Sequence, residues 1–423
     1  MLNGLMPHRD FPLWHMPLLP IYIGMTLHIF QDMYWVRVLY LFLNCFSVLP
    51  MYLILRTIGQ NVRAGLFASS FYLTDYLLVH QDFRFVAIRQ MAGVLLIGFL
   101  YFGLQRSYTR FAWLMQAVFA SLSTLLFLPT VISLTLVSGA VVLSTSLEGQ
   151  WQRQLMRYLR IGGVALFVIL LYFLLIPHSV EQVIMSQVHR PGLSRLARVG
   201  IIIHELNALY YCFSLISLCI TALCCRRLRW YALAMIGLIG SSVFLSNNFY
   251  RHYLTFGAFA FAFGIFGFVL CFEKWLGKRW NGHAIVGIVT SCMLALHLSV
   301  VGPALLHEWN DNRNPHYYAS VHVLGNAPDP LFTLEPIYAV ESRRELVPDM
   351  QDLYMRAPQL SQAWGPDDYE QIAQKACTIL LENKANAYIP RPIRQQWTQT
   401  YRILQRNEAG IVLLTDQPHC ASK

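Results

Sequence analysis

Charge is what this sequence has least of. Only 13% of its 423 residues are charged, against 56% that are hydrophobic. A soluble domain carries roughly 25% charged residues. So little charge, with a mean hydropathy of +0.44, excludes water as the solvent for most of the chain. Carboxylates are scarcest, at 22 against 32 Lys and Arg. The net charge of +10 does not point to nucleic acid, because the basic residues fall in short segments between apolar runs. Motifs are missing too. There is no Walker loop, H-E-x-x-H, C-x-x-C or G-x-S-x-G, which excludes the usual NTPase, zincin, thiol-redox and serine-hydrolase chemistries. The HELN at His204 lacks the second His a zincin needs. The nine Cys show no metal spacing, and those inside apolar runs (Cys45, Cys212, Cys219, Cys271, Cys292) read as buried packing residues. Neither a low-complexity tract nor an internal repeat is visible, and the opening residues lack the basic, apolar and small-residue order of a cleavable signal.

What is present is a series of apolar runs. A span needs about 20 such residues, and about ten candidates follow one another: 35–55, 62–80, 86–104, 111–126, 131–147, 161–176, 199–223, 230–245, 253–272 and 283–305. The segments between them alternate. One set carries Arg56 and Arg63; Arg106 and Arg110; Arg153, Arg157 and Arg160; Arg226, Arg227 and Arg229; Lys274, Lys278 and Arg279. The other set is much less basic. The positive-inside rule assigns the first set to the cytoplasm. It puts Trp35 and everything after Leu305 outside. This pattern argues that the segment 11–30 lies in the interface, since crossing there would invert every later loop; the alternative is a genuine first span with a cytoplasmic N-terminus. Trp14, His15, Pro17 and Pro20 fit a short interfacial helix.

Residues 306–423 differ in character, being polar and Pro-rich. LFTL (331–334) and IVLLTD (411–416) predict strands. Tyr369–Glu382 and Pro392–Leu404 predict helices, the second with Pro near its first position. This region is long enough for a small α/β domain. If it is extracytoplasmic, Cys377 and Cys420 are able to pair. The expected architecture is a polytopic α-helical membrane protein (1–305, with 1–34 an outer loop and interfacial helix) followed by an extracytoplasmic α/β domain (306–423), in a cytoplasmic (inner) membrane.

Ionisable groups near a membrane are costly and tend to mark function. Four clusters fall on the side assigned as outer. They are His8, Arg9, Asp10 and His15; His80, Gln81, Asp82, Arg84 and Arg89; His189, Arg190, Arg195 and Arg198 with His204 and Glu205; and Asn247, Asn248, Tyr250, Arg251, His252 and Tyr253. Taken singly, each has a plain alternative: a local Asp82–Arg84 ion pair, solvated interfacial heads at His204 and Glu205, an ordinary loop around Arg251. Together they supply what group transfer from a phosphate leaving group needs. Arg holds phosphate oxygens in a planar fork, and a carboxylate serves as base toward an acceptor hydroxyl or amine. Asp10 and Asp82 are the carboxylates read as lying near the outer ends of the early spans. Asp82 is the better base because it closely precedes a span.

The first loop, Gly4-x-x-Pro7-x-Arg9-Asp10-Phe11 followed by His15, Pro17 and Leu18, resembles that of C-type glycosyltransferases related to protein O-mannosyltransferases and lipid A aminoarabinose transferase. His8 replaces the usual aromatic and Met16 the first Pro. Arg37, the Asp82–Arg84–Arg89 group, Arg251 with Tyr253, and 331–350 are similar to later segments of that family. The resemblance implies inverting transfer of a sugar from a polyprenyl phosphate to a glycan, lipid or protein acceptor outside the cytoplasm, in contact with membrane lipid and without nucleic acid. It requires no cofactor and is compatible with a divalent metal. It assigns Asp82 and Asp10 to catalysis, and Arg9, His15, Arg84, Arg89, Arg251, Tyr253, His204 and Glu205 to the donor phosphate or substrate. The family's first span, and the acidic residue after it, have no counterpart here. A truncated or inactive homologue is therefore one competing expectation. A flippase for a lipid-linked saccharide is another, although it lacks the inverted repeat and paired broken spans such transporters show. A third is an O-antigen ligase or polymerase, whose large loop sits between late spans.

Overall fold

In a computed structural model the chain is described over residues 17–30, 33–75, 88–105, 109–146, 150–176, 179–180, 183, 195–204, 208–244, 257–276, 282–311, 315–334, 336–347, 366–382, 389–415 and 420. It divides into a helical unit that includes Tyr34–Glu308 and a C-terminal unit that includes Trp309–Lys423.

The helical unit contains α1 (Leu18–Phe30), α2 (Met33–Gly59), α3 (Val62–Leu73), α4 (Ile88–Leu104), α5 (Arg110–Leu126), α6 (Thr130–Ser146), α7 (Trp151–Leu175), α8 (Arg195–Ile203), α9 (Ala208–Cys224), α10 (Arg229–Phe244), α11 (Ala258–Leu276) and α12 (Gly282–Asp311). Among the described residues, four helices are long and apolar enough to cross a membrane, in α2, α7, α11 and α12, or five if α8 and α9 form one broken span. The remaining apolar helices are shorter, at 10–17 residues. Seventeen residues rise only about 25 Å, less than the roughly 30 Å hydrocarbon core. The sequence expectation of about ten full-length spans is thus replaced by a mixture of long and short helices. The expected span 199–223 is broken into α8 and α9. The helix expected at 161–176 begins at Trp151, so Arg153, Arg157 and Arg160 lie on α7 and not in a loop. α1, at 13 residues, is too short to cross, and its Tyr22 hydroxyl donates to the Val36 carbonyl of α2 at 3.0 Å.

Local signals explain the helix ends. Asn61 caps α3, its Oδ1 accepting the Ala64 N–H at 3.0 Å. Thr109 does the same for α5 toward Ala112 at 3.1 Å. Each satisfies a donor that the first helical turn otherwise leaves without an intrahelical partner. The helices then assemble through small residues. α11 packs against α3, α9 and α10, and nearly its whole first three turns are buried. At its crossing with α9, a Cβ on Gly264 would collide with the Ser214 carbonyl oxygen, and one on Gly267 with the Thr221 hydroxyl. Helices in lipid gain nothing from burying apolar surface against each other, so close backbone approach at such positions drives their packing. Cys45, Cys212, Cys219, Cys224 and Cys292 lie on the outer surface of the helices. The expectation that the apolar-run cysteines are buried is corrected for Cys45, Cys212, Cys219 and Cys292, because the lipid-facing side of such a helix is as apolar as its core. Cys271 is half-buried, its Sγ 2.8 Å from that of Cys225.

The C-terminal unit is built from α13 (Pro315–Gly325), β1 (Leu331–Phe332), α14 (Pro336–Ser342), α15 (Pro366–Lys375), β2 (Thr378–Glu382), α16 (Arg391–Thr400), β3 (Arg402–Asn407) and β4 (Gly410–Leu414). The sheet order is β1-β2-β4-β3, with β1 parallel to β2 and the other pairs antiparallel. β2 is buried along its length. Ile379 and Leu381 face Tyr369, Ile372, Ile393 and Trp397 from α15 and α16. Leu380 faces Leu324 and Tyr338 from α13 and α14. The alternation that gives a strand two faces thus serves two helical layers. Two sequence expectations are corrected. The helix expected over Tyr369–Glu382 stops at Lys375, and its remainder is the central strand; the apolar Thr378-Ile-Leu-Leu run has no helical polar face. The helix expected over Pro392–Leu404 stops at Thr400, where β3 begins as a mostly exposed edge strand. Cys377 and Cys420 form a disulfide, the pairing anticipated from sequence.

Candidate functional site

Most of the residues singled out from sequence lie outside the described residues: Arg9, Asp10, His15, Asp82, Arg84, Glu205, Arg251 and Tyr253. Arg89 falls in the first turn of α4, but its side chain is outside them too. His204 is exposed at the end of α8, its N–H bonded to the Gly200 carbonyl at 3.0 Å. Arg198, from the same cluster, has a role the sequence did not reveal. It is buried, and its Nη1 donates to the Val243 and Phe244 carbonyls at 3.1 and 3.2 Å. It therefore caps the C-terminal end of α10, where the carbonyls lack intrahelical partners.

The described residues bring together a polar group that sequence reasoning missed. α3 ends at Leu73 and is followed by its cap Thr74 and by Asp75, which is 1% exposed. Asp75, just after α3, is a buried carboxylate that the sequence reading, which singled out Asp10 and Asp82, passed over. The Tyr211 hydroxyl of α9 donates to Asp75 Oδ1 at 3.3 Å. His297 of α12 contacts the Thr74 carbonyl through Nε2 at 3.0 Å. A carbonyl only accepts, so Nε2 carries the proton in this contact. Aromatic rings close the surroundings. Tyr210 stacks on Phe71 with centroids 5.5 Å apart. The His297 ring lies 5.1 Å from Phe71 and 5.2 Å from Tyr210, and Phe261 of α11 lies 4.6 Å from Tyr211.

A second polar layer continues from this node to α2. Ser47 Oγ donates to the Asn44 carbonyl at 2.6 Å. Its single proton is used there, so the Tyr72 hydroxyl is the donor in its 2.9 Å contact with Ser47 Oγ. Three helices thus supply a carboxylate, a phenol and an imidazole within one packed region, and a fourth supplies an aromatic wall. Hydrogen bonds tie the set together: Tyr211 to Asp75 and His297 to the Thr74 carbonyl. Such a set is costly to bury without compensation, and within a membrane unit it reads as functional. The signal was available in the sequence: one acid inside the otherwise apolar candidate span 62–80. Among the described residues no group of three or more His, Cys, Asp or Glu is placed to hold a metal ion.

No protein-family model matches the sequence, and no curated protein matches it. Solved structures do. The fold is similar to that of ArnT from Cupriavidus metallidurans in the apo state, with a TM-score of 0.61 at 12% identity over 95% of this chain and 88% of that one. It is similar as well to the same protein bound to undecaprenyl phosphate, with a TM-score of 0.65 at 13% identity and the same coverage. At this identity the likeness establishes the fold, an integral-membrane one, and it runs through nearly all of the chain. It is the C-type glycosyltransferase fold that the loop motifs resembled.

Proposed function

We propose that this chain transfers a sugar from a polyprenyl-phosphate donor to an acceptor on the extracytoplasmic side of the inner membrane. One observation carries the reading. The fold matches, over 95% of the chain, a protein whose structure is described with undecaprenyl phosphate bound. The Asp75 node supports it. By the charge alternation of the loops, the C-terminal end of α3, the N-terminal end of α9 and the second half of α12 all fall at the outer face, which is where the four sequence clusters fall. The Cys377–Cys420 disulfide supports an oxidising compartment for the C-terminal unit.

In the reaction the acceptor oxygen or nitrogen forms a bond to the anomeric carbon from the side opposite the phosphate. The bond from that carbon to the phosphate oxygen breaks, and polyprenyl phosphate leaves with the electron pair. Asp82 takes the acceptor proton, with Asp10 the second carboxylate of the outer loops. Arg84 and Arg251 hold the phosphate oxygens, aided by Arg9, Arg89, His15, Tyr253 and His204, while Glu205, which only accepts, is assigned to the substrate's hydroxyls. Asp75 is buried and engaged by Tyr211, so it takes a positioning role: it ties the outer end of α3 to α9, seven residues before Asp82.

Donor binding tests the reading. Undecaprenyl phosphate should bind the purified full chain in nanodiscs, and Arg84→Ala and Arg251→Ala should each weaken it by about tenfold or more, since a charge-assisted contact contributes about 1.5–3 kcal/mol. Binding that is absent, or indifferent to both substitutions, would overturn it.

A further inference from the structure

At the end of the helical unit assigned as cytoplasmic, the structure has a groove that the proposed reaction does not use. Its volume is about 420 Å3, and it is lined by Thr109, Arg110, Trp113, Leu114 and Arg157. Two of these are guanidinium groups from different helices. Arg110 opens α5, directly after its cap, so it stands beside the positive end of that helix, where anions are favoured. Arg157 behaves unlike its neighbours on α7. Arg153 and Arg160 are exposed, as basic residues at a membrane edge usually are, whereas Arg157 is 6% exposed. Its Nη2 donates to the Phe102 carbonyl in the last turn of α4 at 3.1 Å. That bond fixes the guanidinium at the junction of α4, α5 and α7.

Behind the junction the interior is polar. Gln116 is fully buried, and neither atom of its amide has a hydrogen-bond partner among the described residues. The same amide and the Tyr158 hydroxyl would both meet a Cβ placed on Gly103. Buried polar groups are ordinarily satisfied, so an amide without a described partner marks this layer as polar rather than lipid-like. The outer wall is of the opposite kind. Trp113 and Leu114 are exposed apolar residues, and Trp commonly sits at the level of lipid headgroups.

We infer that this groove seats the phosphodiester headgroup of an anionic glycerophospholipid, with an acyl chain along Trp113 and Leu114. Charge complementarity selects an anion. The apolar wall next to the two Arg selects an amphiphile over a free ion. The volume suits a headgroup, since pockets for whole drug-sized ligands span about 300–1,000 Å3. The site stands independently of the sugar-transfer reading.

The test compares lipids and variants on the purified full chain by native mass spectrometry and thermal unfolding in detergent. Phosphatidylglycerol should be retained and should raise the unfolding temperature. Phosphatidylcholine and inorganic phosphate should do neither. Arg110→Gln with Arg157→Gln should weaken phosphatidylglycerol binding by about thirtyfold, each basic residue near an anionic surface being worth about 1 kcal/mol. Arg153→Gln with Arg160→Gln should leave it nearly unchanged. If the two pairs lose binding equally, the effect is diffuse surface charge and the groove is not a site. Equal stabilisation by inorganic phosphate would make it a free-anion site and overturn the lipid assignment. Should the Arg157 variant fail to fold, Arg110→Gln alone decides, because Arg110 is exposed: unchanged binding in that variant would overturn the proposal.

Discussion

The two units each bury a carboxylate, and they do so differently. In the C-terminal unit Glu382 is 2% exposed at the end of β2. Its Oε1 accepts the Leu334 N–H at 2.8 Å and its Oε2 the Thr333 hydroxyl at 3.3 Å. Both donors come from the chain just after β1, so Glu382 pins an adjacent segment to the sheet edge. In the helical unit Asp75 is equally buried, but its described donor is a phenol on another helix, with a histidine and a second tyrosine close by. Equal burial thus goes with unequal roles. A carboxylate paired with backbone of its own sheet is a structural staple. Asp75, bonded by Tyr211 of α9, instead ties two helices of the membrane unit together, which suits a positioning role.

The largest effect is expected where neither carboxylate is involved. Gly264→Leu puts a side chain into the Ser214 backbone, which cannot move aside without parting α9 from α11. It should abolish a monodisperse folded protein in size-exclusion chromatography, whereas Gly240→Ala, with open space around it, should not. Next is the C-terminal unit. Replacing Cys377 and Cys420 together by Ser should lower its stability by about 2–5 kcal/mol, read as a lower unfolding temperature and faster proteolysis after Leu305. A reporter active only in the cytoplasm, fused after Lys423, should stay silent.

How much of this was legible beforehand depended on the kind of signal. Apolar runs gave away the helical unit, and the change of composition after Leu305 marked the C-terminal one. Loop motifs pointed to the fold. Helix ends were less visible. Arg153, Arg157 and Arg160 looked like a loop because Arg is polar, yet Arg tolerates a helix well, and only packing decides that Arg157 turns inward. The central strand Thr378–Glu382 was hidden by its length, since five residues, three of them apolar, next to a helix read as its continuation. β3, polar and exposed, has no alternation to betray it. Asp75 was passed over for Asp82, which lies beside Arg84 in a polar segment and so looks functional by local company. Asp75 has apolar neighbours in sequence, and its partners, Tyr211 and His297, arrive only through the fold.

The comparison of carboxylates is sharpened by neutral, shape-keeping replacements. Asp75→Asn should reduce sugar transfer by about tenfold or more, the worth of one charge-assisted hydrogen bond, with little change in unfolding temperature. Tyr211→Phe, which removes the other half of the same bond, should match it. Glu382→Gln should do the reverse, lowering the stability of the C-terminal unit by about 1–2 kcal/mol and leaving the transfer rate nearly unchanged. If Glu382→Gln slows transfer as much as Asp75→Asn does, the distinction between a sheet staple and a residue that positions the site fails.

The central claim is bond making at the outer face, and one measurement meets it directly. The purified full chain in nanodiscs is given a polyprenyl-phosphate-linked sugar and an acceptor extract, and free polyprenyl phosphate is measured over time. The account predicts acceptor-dependent release by the unmutated chain and none by Asp82→Asn, with donor binding retained in both. Donor that binds but stays intact, and in proteoliposomes crosses the bilayer with its sugar still attached, would contradict it.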